Sequence, residues 1–73
     1  AIPGSPEVHS HLGLAALAVG DQELARLHLE ASVSLYQAVL DAKLEVTPAM
    51  TEAVNQAQDA LHQNWPDWQK GKA

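Results

Sequence analysis

The side chains best suited to metal binding or acid–base chemistry are four histidines: His9, His11, His28 and His62. His11 lies nine residues before Gly20, and His28 lies eight residues after it. If the chain folds back at Gly20, these two histidines lie at similar heights on neighbouring helices and can meet. Imidazole nitrogens suit copper, nickel or zinc. The sequence therefore predicts a candidate metal site at His11 and His28, with His9 or Glu7 as a further ligand.

A simpler interpretation is that the histidines occupy partly exposed positions on helix surfaces. Residues two apart on a helix point in nearly opposite directions. His9 and His11 therefore do not share one face unless the first helical turn is frayed. We treat a divalent transition metal as the alternative and expect the chain to need no cofactor.

Recognisable catalytic motifs are missing from the sequence. It has no cysteine, no glycine-rich phosphate loop and no His-Glu-x-x-His pattern. Ser32 follows His28 by four residues, a spacing that favours a surface hydrogen bond over a nucleophile–base pair. Single, scattered carboxylates are typical of solubilising charges, and five fit that description: Glu23, Glu30, Asp41, Glu52 and Asp59. We expect that the chain is not an enzyme.

Composition limits the classes of partner. The chain has 73 residues, enough for one small domain, and a net charge of −5 with four cations. An acidic balance argues against nucleic acid, which needs a basic footprint. No apolar run approaches the roughly 20 residues needed to span a bilayer. The first residue is Ala1 rather than Met, and the sequence leaves the location open: cytoplasmic, or periplasmic or secreted if Ala1 is a processed N-terminus.

Two helices are predicted on either side of Gly20-Asp21. Glycine readily takes the left-handed conformation that ends a helix, and aspartate is a good N-cap for the next. Ser5-Pro6 gives the first helix a hydroxyl cap followed by a preorganised proline. The pattern predicts helices at about 6–19 and 22–43, joined as a tight antiparallel hairpin.

This hairpin carries small and apolar residues at characteristic positions: Leu12-Gly13, Gly20-Asp21, Ala25 and Leu29. In these positions it resembles a tetratricopeptide repeat, which pairs Leu-Gly in its first helix with Ala in its second. The resemblance covers one degenerate repeat, about residues 6–39. It departs from the family pattern where Trp, Tyr and Pro are usual, at His9, Ala16 and Gln37. The resemblance implies an adaptor or assembly module that holds a peptide or helix.

A third helix is predicted at 48–63, after the Thr47-Pro48 start signal. Its apolar residues recur at spacings of three and four: Met50, Ala53, Val54, Ala57, Ala60 and Leu61. We therefore expect an all-α, three-helix up-down-up bundle at 6–63, a tetratricopeptide-like hairpin plus a C-terminal helix. Residues 1–5 are expected to be a disordered lead-in, and residues 64–73 a tail with both tryptophans.

The spacing of apolar residues in the first two helices predicts which of their faces meet. On the second helix, one face is expected to hold Leu24, Ala31, Leu35, Ala38 and Ala42, extended by Ala25, Leu29, Tyr36 and Val39. On the first helix, four residues are expected to face the second: Leu12, Ala15, Ala16 and Val19. Leu14, Leu17 and Ala18 point elsewhere, towards the third helix or towards another protein.

The tail tryptophans have two interpretations. In the first, Trp65 folds back over the open end of the bundle. In the second, one tryptophan anchors a partner, and Trp68 is the stronger candidate for that role. We expect a non-catalytic protein–protein interaction or assembly module, with self-association nearly as favoured as a different partner. The predicted partner-binding residues are Leu14, Leu17, Ala18, Trp65 and Trp68. The alternative is a small metal-binding helical protein that uses His11, His28 and His9.

Overall fold

The computed structural model describes residues 4–68 and places three α-helices in them: α1 (Pro6–Ala18), α2 (Gln22–Asp41) and α3 (Pro48–Asn64). The described residues contain no strand, and every pair of helices is in contact. The all-α three-helix prediction is confirmed. Of the lead-in predicted to be disordered at 1–5, residues 1–3 lie outside the described part of the chain, as do residues 69–73 of the tail. Ser5 is described and is the N-cap of α1.

Each helix begins where a polar side chain caps it. Ser5 Oγ accepts from the backbone N–H of Val8 at 3.2 Å, and Thr47 Oγ1 accepts from Met50 N–H at 3.1 Å. Asp21 Oδ1 accepts from Leu24 N–H at 3.1 Å. These bonds satisfy amides that have no partner within the helix, so local sequence alone sets the three N-terminal boundaries.

The ends of α1 and α2 share one backbone motif. After α1, Gly20 has φ +86°, its N–H donates to Leu17, and the next N–H donates to Ala16. After α2, Lys43 has φ +57°, its N–H donates to Leu40, and the next donates to Val39. Both are Schellman-type caps, in which a left-handed residue closes the last turn. Because Lys43 takes that role, α2 ends at Asp41 rather than at the predicted 43.

Long-range contacts give the direction of each helix. Ser32 Oγ on α2 donates to Pro6 O on α1 at 2.7 Å, and the later Gly13 of α1 lies against the earlier Ala25 of α2, so these helices are antiparallel. The hydroxyl oxygens of Tyr36 and Thr51 lie 3.2 Å apart, and the earlier Glu30 of α2 bonds Trp68 beyond α3, so α3 runs antiparallel to α2. Ser10 Oγ on α1 donates to Ala53 O on α3 at 2.7 Å. The helices therefore run up, down and up, and α3 covers one side of α1 as expected.

The core is small and lies where the three helices meet. Its buried apolar residues are Ala16 on α1, three residues of α2 and five of α3: Ala25, Leu29, Ala31, Ala53, Val54, Ala57, Ala60 and Leu61. The predicted face of α2 is right in part, because Ala25, Leu29 and Ala31 are buried. It is wrong at Leu24, which is 43% exposed, and it left out Ser32, which is fully buried. Ser32 can occupy an interior position because its hydroxyl is hydrogen-bonded, which removes most of the cost of burying it.

The predicted inner face of α1 is also wrong. Ala16 is buried as expected, but Leu12 and Val19 are 46% and 80% exposed. The cause is Gly13, where an added Cβ would lie 2.6 Å from Leu29 Cδ2. Without a side chain there, α1 approaches α2 with its glycine edge rather than with its leucines.

Candidate functional site

A line of uncovered apolar side chains runs along the outer side of α1. We call it the α1 ridge, and it consists of Val8, Leu12, Ala15 and Val19. Three of them are large and well exposed, with Val8 at 50%, Leu12 at 46% and Val19 at 80%. Their spacing of four, three and four residues places them on one helix face, as in the seam of two packed helices.

The α1 ridge is uncharged. Glu7 is the one charged side chain of α1, and it lies half-buried beside Ala49 and Glu52 of α3. The exposed surfaces of the other two helices carry charges instead: Glu23, Arg26 and Asp41 on α2, and Glu52 and Asp59 on α3. In an acidic chain the α1 face is therefore the surface that another apolar face meets at least electrostatic cost.

The predicted partner residues of α1 do not form this surface. Leu14 and Leu17 are half-buried and pack against the core, which is the first of the two directions that the sequence left open for them. A role for these leucines in binding a partner stays a prediction. Ala18 is exposed, as expected. The glycine edge at Gly13 turns the face that holds Leu14 and Leu17 towards the interior, and it turns Leu12 and Val19 outward.

Both tryptophans also pack against the core, and each is half-buried. Trp65 lies under the guanidinium of Arg26, with 5.7 Å from its carbon to the ring centroid. Trp68 Nε1 donates to Glu30 Oε2 at 3.1 Å. The interpretation that Trp65 folds back over the bundle is confirmed. A partner-anchoring role for Trp68 stays a prediction, and its indole N–H is already bonded within the chain.

A histidine pair joins α1 to α2. The Nδ1 atoms of His9 and His28 lie 2.9 Å apart, His9 is buried, and His28 is half-buried. The expected meeting of His11 with His28 is wrong, because His11 is exposed and lies beside Glu7 and Glu52. The rotation of α1 about Gly13 explains this exchange, since it turns His9 towards α2 and His11 towards α3.

A cavity of about 330 Å³ adjoins the histidine pair and is also lined by Leu27, Glu30, Ala31 and Ser34. Its volume is at the lower end of the range for small-molecule sites, about 300–1,000 Å³. Residues 4–68 hold no group of three or more His, Cys, Asp or Glu side chains placed to hold a metal ion. Any metal here would therefore rely on the two imidazoles and on water.

The buried serine hydroxyl that could act as a nucleophile is engaged in a hydrogen bond between helices. Ser32 is fully buried and donates to Pro6 O, so it is not held as a nucleophile beside His28. Throughout the described residues, every buried side-chain nitrogen and oxygen has a hydrogen-bond partner. The interior is thus fully bonded, and the candidate sites lie at the surface, in the α1 ridge and in the histidine cavity.

Comparisons with protein-family models, curated proteins and solved structures find no match for this chain. No helix between residues 4 and 68 combines the length and apolar character needed to cross a bilayer. The function is therefore argued from the geometry of the surface.

Proposed function

We propose that this chain is a non-catalytic helical assembly module, which binds an apolar helix by burying the α1 ridge. The observation that carries the proposal is the exposure of Val8, Leu12 and Val19 in one uncharged line. Burial of apolar area is the driving force, and spacing along one helix face suits a helix laid alongside.

The size of the ridge sets the expected strength of binding. α1 has 13 residues, so its length is about 20 Å. Fully burying a valine or leucine contributes about 1.5–3 kcal/mol, and these side chains are already partly covered. Association costs at least about 4 kcal/mol. The ridge therefore supports a weak or reversible contact, unless the partner also covers exposed apolar side chains of α2 such as Leu24 and Leu27.

The hairpin geometry supports the tetratricopeptide-like interpretation. Gly13 lies against Leu29 and the backbone oxygen of Ala25, and all three are positions that carry the resemblance. In repeat proteins each hairpin buries one face against a neighbouring repeat. An uncovered α1 face is what such a unit presents, whether the neighbour is a second copy or another protein.

Light scattering over a range of concentrations tests the proposal, with Leu12→Glu as the disrupting variant. Leu40→Glu is the matched control, since Leu40 is 44% exposed on α2, against 46% for Leu12. We expect the original chain and Leu40→Glu to associate, and Leu12→Glu to stay monomeric.

If the original chain is monomeric at every concentration, a photo-crosslinking amino acid at position 12 tests for a different partner in the cells that express the chain. The same amino acid at position 40 is the control. Crosslinking at neither position, or equally at both, contradicts the proposal.

A further inference from the structure

We infer that the His9–His28 pair is a binding site for a divalent metal ion with a tetragonal preference, Cu²⁺ first and Ni²⁺ second. The site is distinct from the α1 ridge, and the inference does not rest on the assembly function. It rests on the separation of two nitrogens, on the rigidity of the helices that hold them, and on the open cavity beside them.

The nitrogen separation favours tetragonal over tetrahedral metals. The two Nδ1 atoms are 2.9 Å apart. With metal–nitrogen bonds of about 2.0–2.1 Å, that separation subtends about 90° at the metal. A tetrahedral angle would need about 3.3 Å. Neighbouring positions at about 90° are those of square-planar or tetragonal Cu²⁺ and Ni²⁺.

The backbone around the pair is held on both sides. Ser32 Oγ ties α2 to Pro6 O at 2.7 Å, one turn from the histidines. Gly13 brings the same two helices into contact on the other side. The backbones at His9 and His28 are therefore held at a fixed separation, which limits how far the two Nδ1 atoms can part when the rings turn towards a metal.

Without metal, the two imidazoles share one hydrogen bond. The angle between the ring planes is 25° and the ring centroids are 5.1 Å apart. Because the two Nδ1 atoms are only 2.9 Å apart, the Nδ1 edges of the rings face each other. A neutral imidazole binds metal through one nitrogen and keeps its hydrogen on the other. Metal binding thus moves the shared hydrogen to the far nitrogen of its ring. Both rings must also rotate, so that their Nδ1 lone pairs point towards the cavity instead of towards each other.

The surroundings admit a hydrated cation. The cavity of about 330 Å³ has no cationic side chain in its lining. Arg26, the nearest cation along α2, is paired with Glu30 at 3.1 Å. The chain's net charge of −5 raises the local concentration of cations. Water can complete the coordination sphere beside the two imidazoles.

Calorimetric titration of the full chain with Cu²⁺, followed by electron paramagnetic resonance, tests the inference. The original chain should bind one Cu²⁺ at this site with a tetragonal spectrum split by two nitrogens. His28→Gln should weaken binding at least tenfold and lose the two-nitrogen pattern. His11→Gln and His62→Gln are matched controls on exposed histidines, and each should stay within about twofold.

His9→Gln provides a second disrupting variant, and far-UV circular dichroism establishes that each variant is folded. If either disrupting variant fails to fold, the other is used; if both fail, diethyl pyrocarbonate labelling replaces them, and Cu²⁺ should protect His28. Three results overturn the inference: no Cu²⁺ binding, equal binding when the pair is broken, or loss of binding in His11→Gln. Absent binding together with a less stable His28→Gln would show a purely structural hydrogen bond.

Discussion

The indole nitrogen of Trp68 donates a hydrogen bond of 3.1 Å to the carboxylate of Glu30, 38 positions earlier in the chain. The same oxygen of Glu30 accepts from Arg26 Nε, also at 3.1 Å. Arg26 in turn lies over the ring of Trp65. We call these four residues the tail latch, because they fasten the segment after α3 to the side of α2.

Removing the bond of the tail latch should destabilise the fold. Trp68→Phe keeps an aromatic ring against the core but loses the N–H donor, and Glu30→Gln removes the charged acceptor. A hydrogen bond to a charged group contributes about 1.5–3 kcal/mol, less where solvent reaches it. Since Trp68 and Glu30 are half-buried, we expect a loss of about 1 kcal/mol in urea unfolding followed by circular dichroism.

The control for the tail latch is Glu52→Gln, an exposed carboxylate on α3. Its effect should stay within about 0.5 kcal/mol, as for most surface substitutions. If Glu52→Gln and Glu30→Gln lower the unfolding free energy equally, the bond to Trp68 contributes nothing specific.

Gly13→Ala should destabilise the chain although alanine is the better helix former. The new Cβ would lie 2.6 Å from Leu29 Cγ and 3.1 Å from Ala25 O, so α1 must move away from α2. Overpacking costs about 1–3 kcal/mol, against about 1 kcal/mol gained in helix propensity. The measurement is the urea concentration at the midpoint of unfolding, and it is compared with that of Ala15→Gly, a substitution on the exposed face of α1.

The two substitutions are opposite in chemistry but should both destabilise. At protein concentrations where the chain is monomeric and the α1 ridge is uncovered, Ala15→Gly should cost about 1 kcal/mol through helix propensity alone. A Gly13→Ala chain that gains stability would show that the contact between α1 and α2 yields easily to an added methyl group.

Lys43→Gly should stabilise the chain. Lys43 has φ +57°, a left-handed conformation that costs a residue with a Cβ about 1 kcal/mol. Glycine removes that strain but adds freedom to the unfolded chain, so we expect a net gain of roughly 0.5 kcal/mol. Thermal unfolding measures the gain. Lys43→Ala keeps the strain and should show none.

The reverse experiment is Gly20→Ala at the end of α1. No neighbouring atom lies within 4 Å of its added Cβ, but φ is +86°. The expected loss of about 1 kcal/mol is then due to the backbone conformation alone. Unchanged stability in this variant would mean that the turn adopts another conformation in solution.

Assembly through the α1 ridge should make thermal stability depend on concentration. If a second copy covers the ridge, mass action raises the melting temperature as protein concentration rises. Leu12→Glu should abolish that dependence and Leu40→Glu should keep it. Scanning calorimetry over a hundredfold concentration range makes the comparison. A melting temperature that rises equally in all three chains would place the contact elsewhere.

Helix boundaries were largely predictable because their signals are local. Ser5, Asp21 and Thr47 each cap the helix that follows them, and Gly20 ends α1 with the expected left-handed conformation. The end of α2 was less predictable, because the left-handed residue after a helix is usually glycine or asparagine, and position 43 holds lysine. The packing of both tryptophans on the core was one of two interpretations that the sequence left open.

The candidate site was predicted only in kind. The sequence left open whether the second apolar side of α1 would meet α3 or another protein, and it indicated that histidines could meet across the hairpin. In the structure Leu14 and Leu17 pack inward, and Leu12 and Val19 are exposed. His28 meets His9 rather than His11. One rotation of α1 accounts for both differences.

The sequence by itself determined three capped helices, their order and the turn at Gly20, because capping and left-handed glycine depend on residues within one turn. Only the tertiary structure decided which side of α1 faces inward. Helical periodicity counts Leu12 and Leu14 as equally apolar, but it does not weigh how closely two backbones can approach. Gly13 sets that distance against Leu29, and this contact turns His9 inward and the α1 ridge outward.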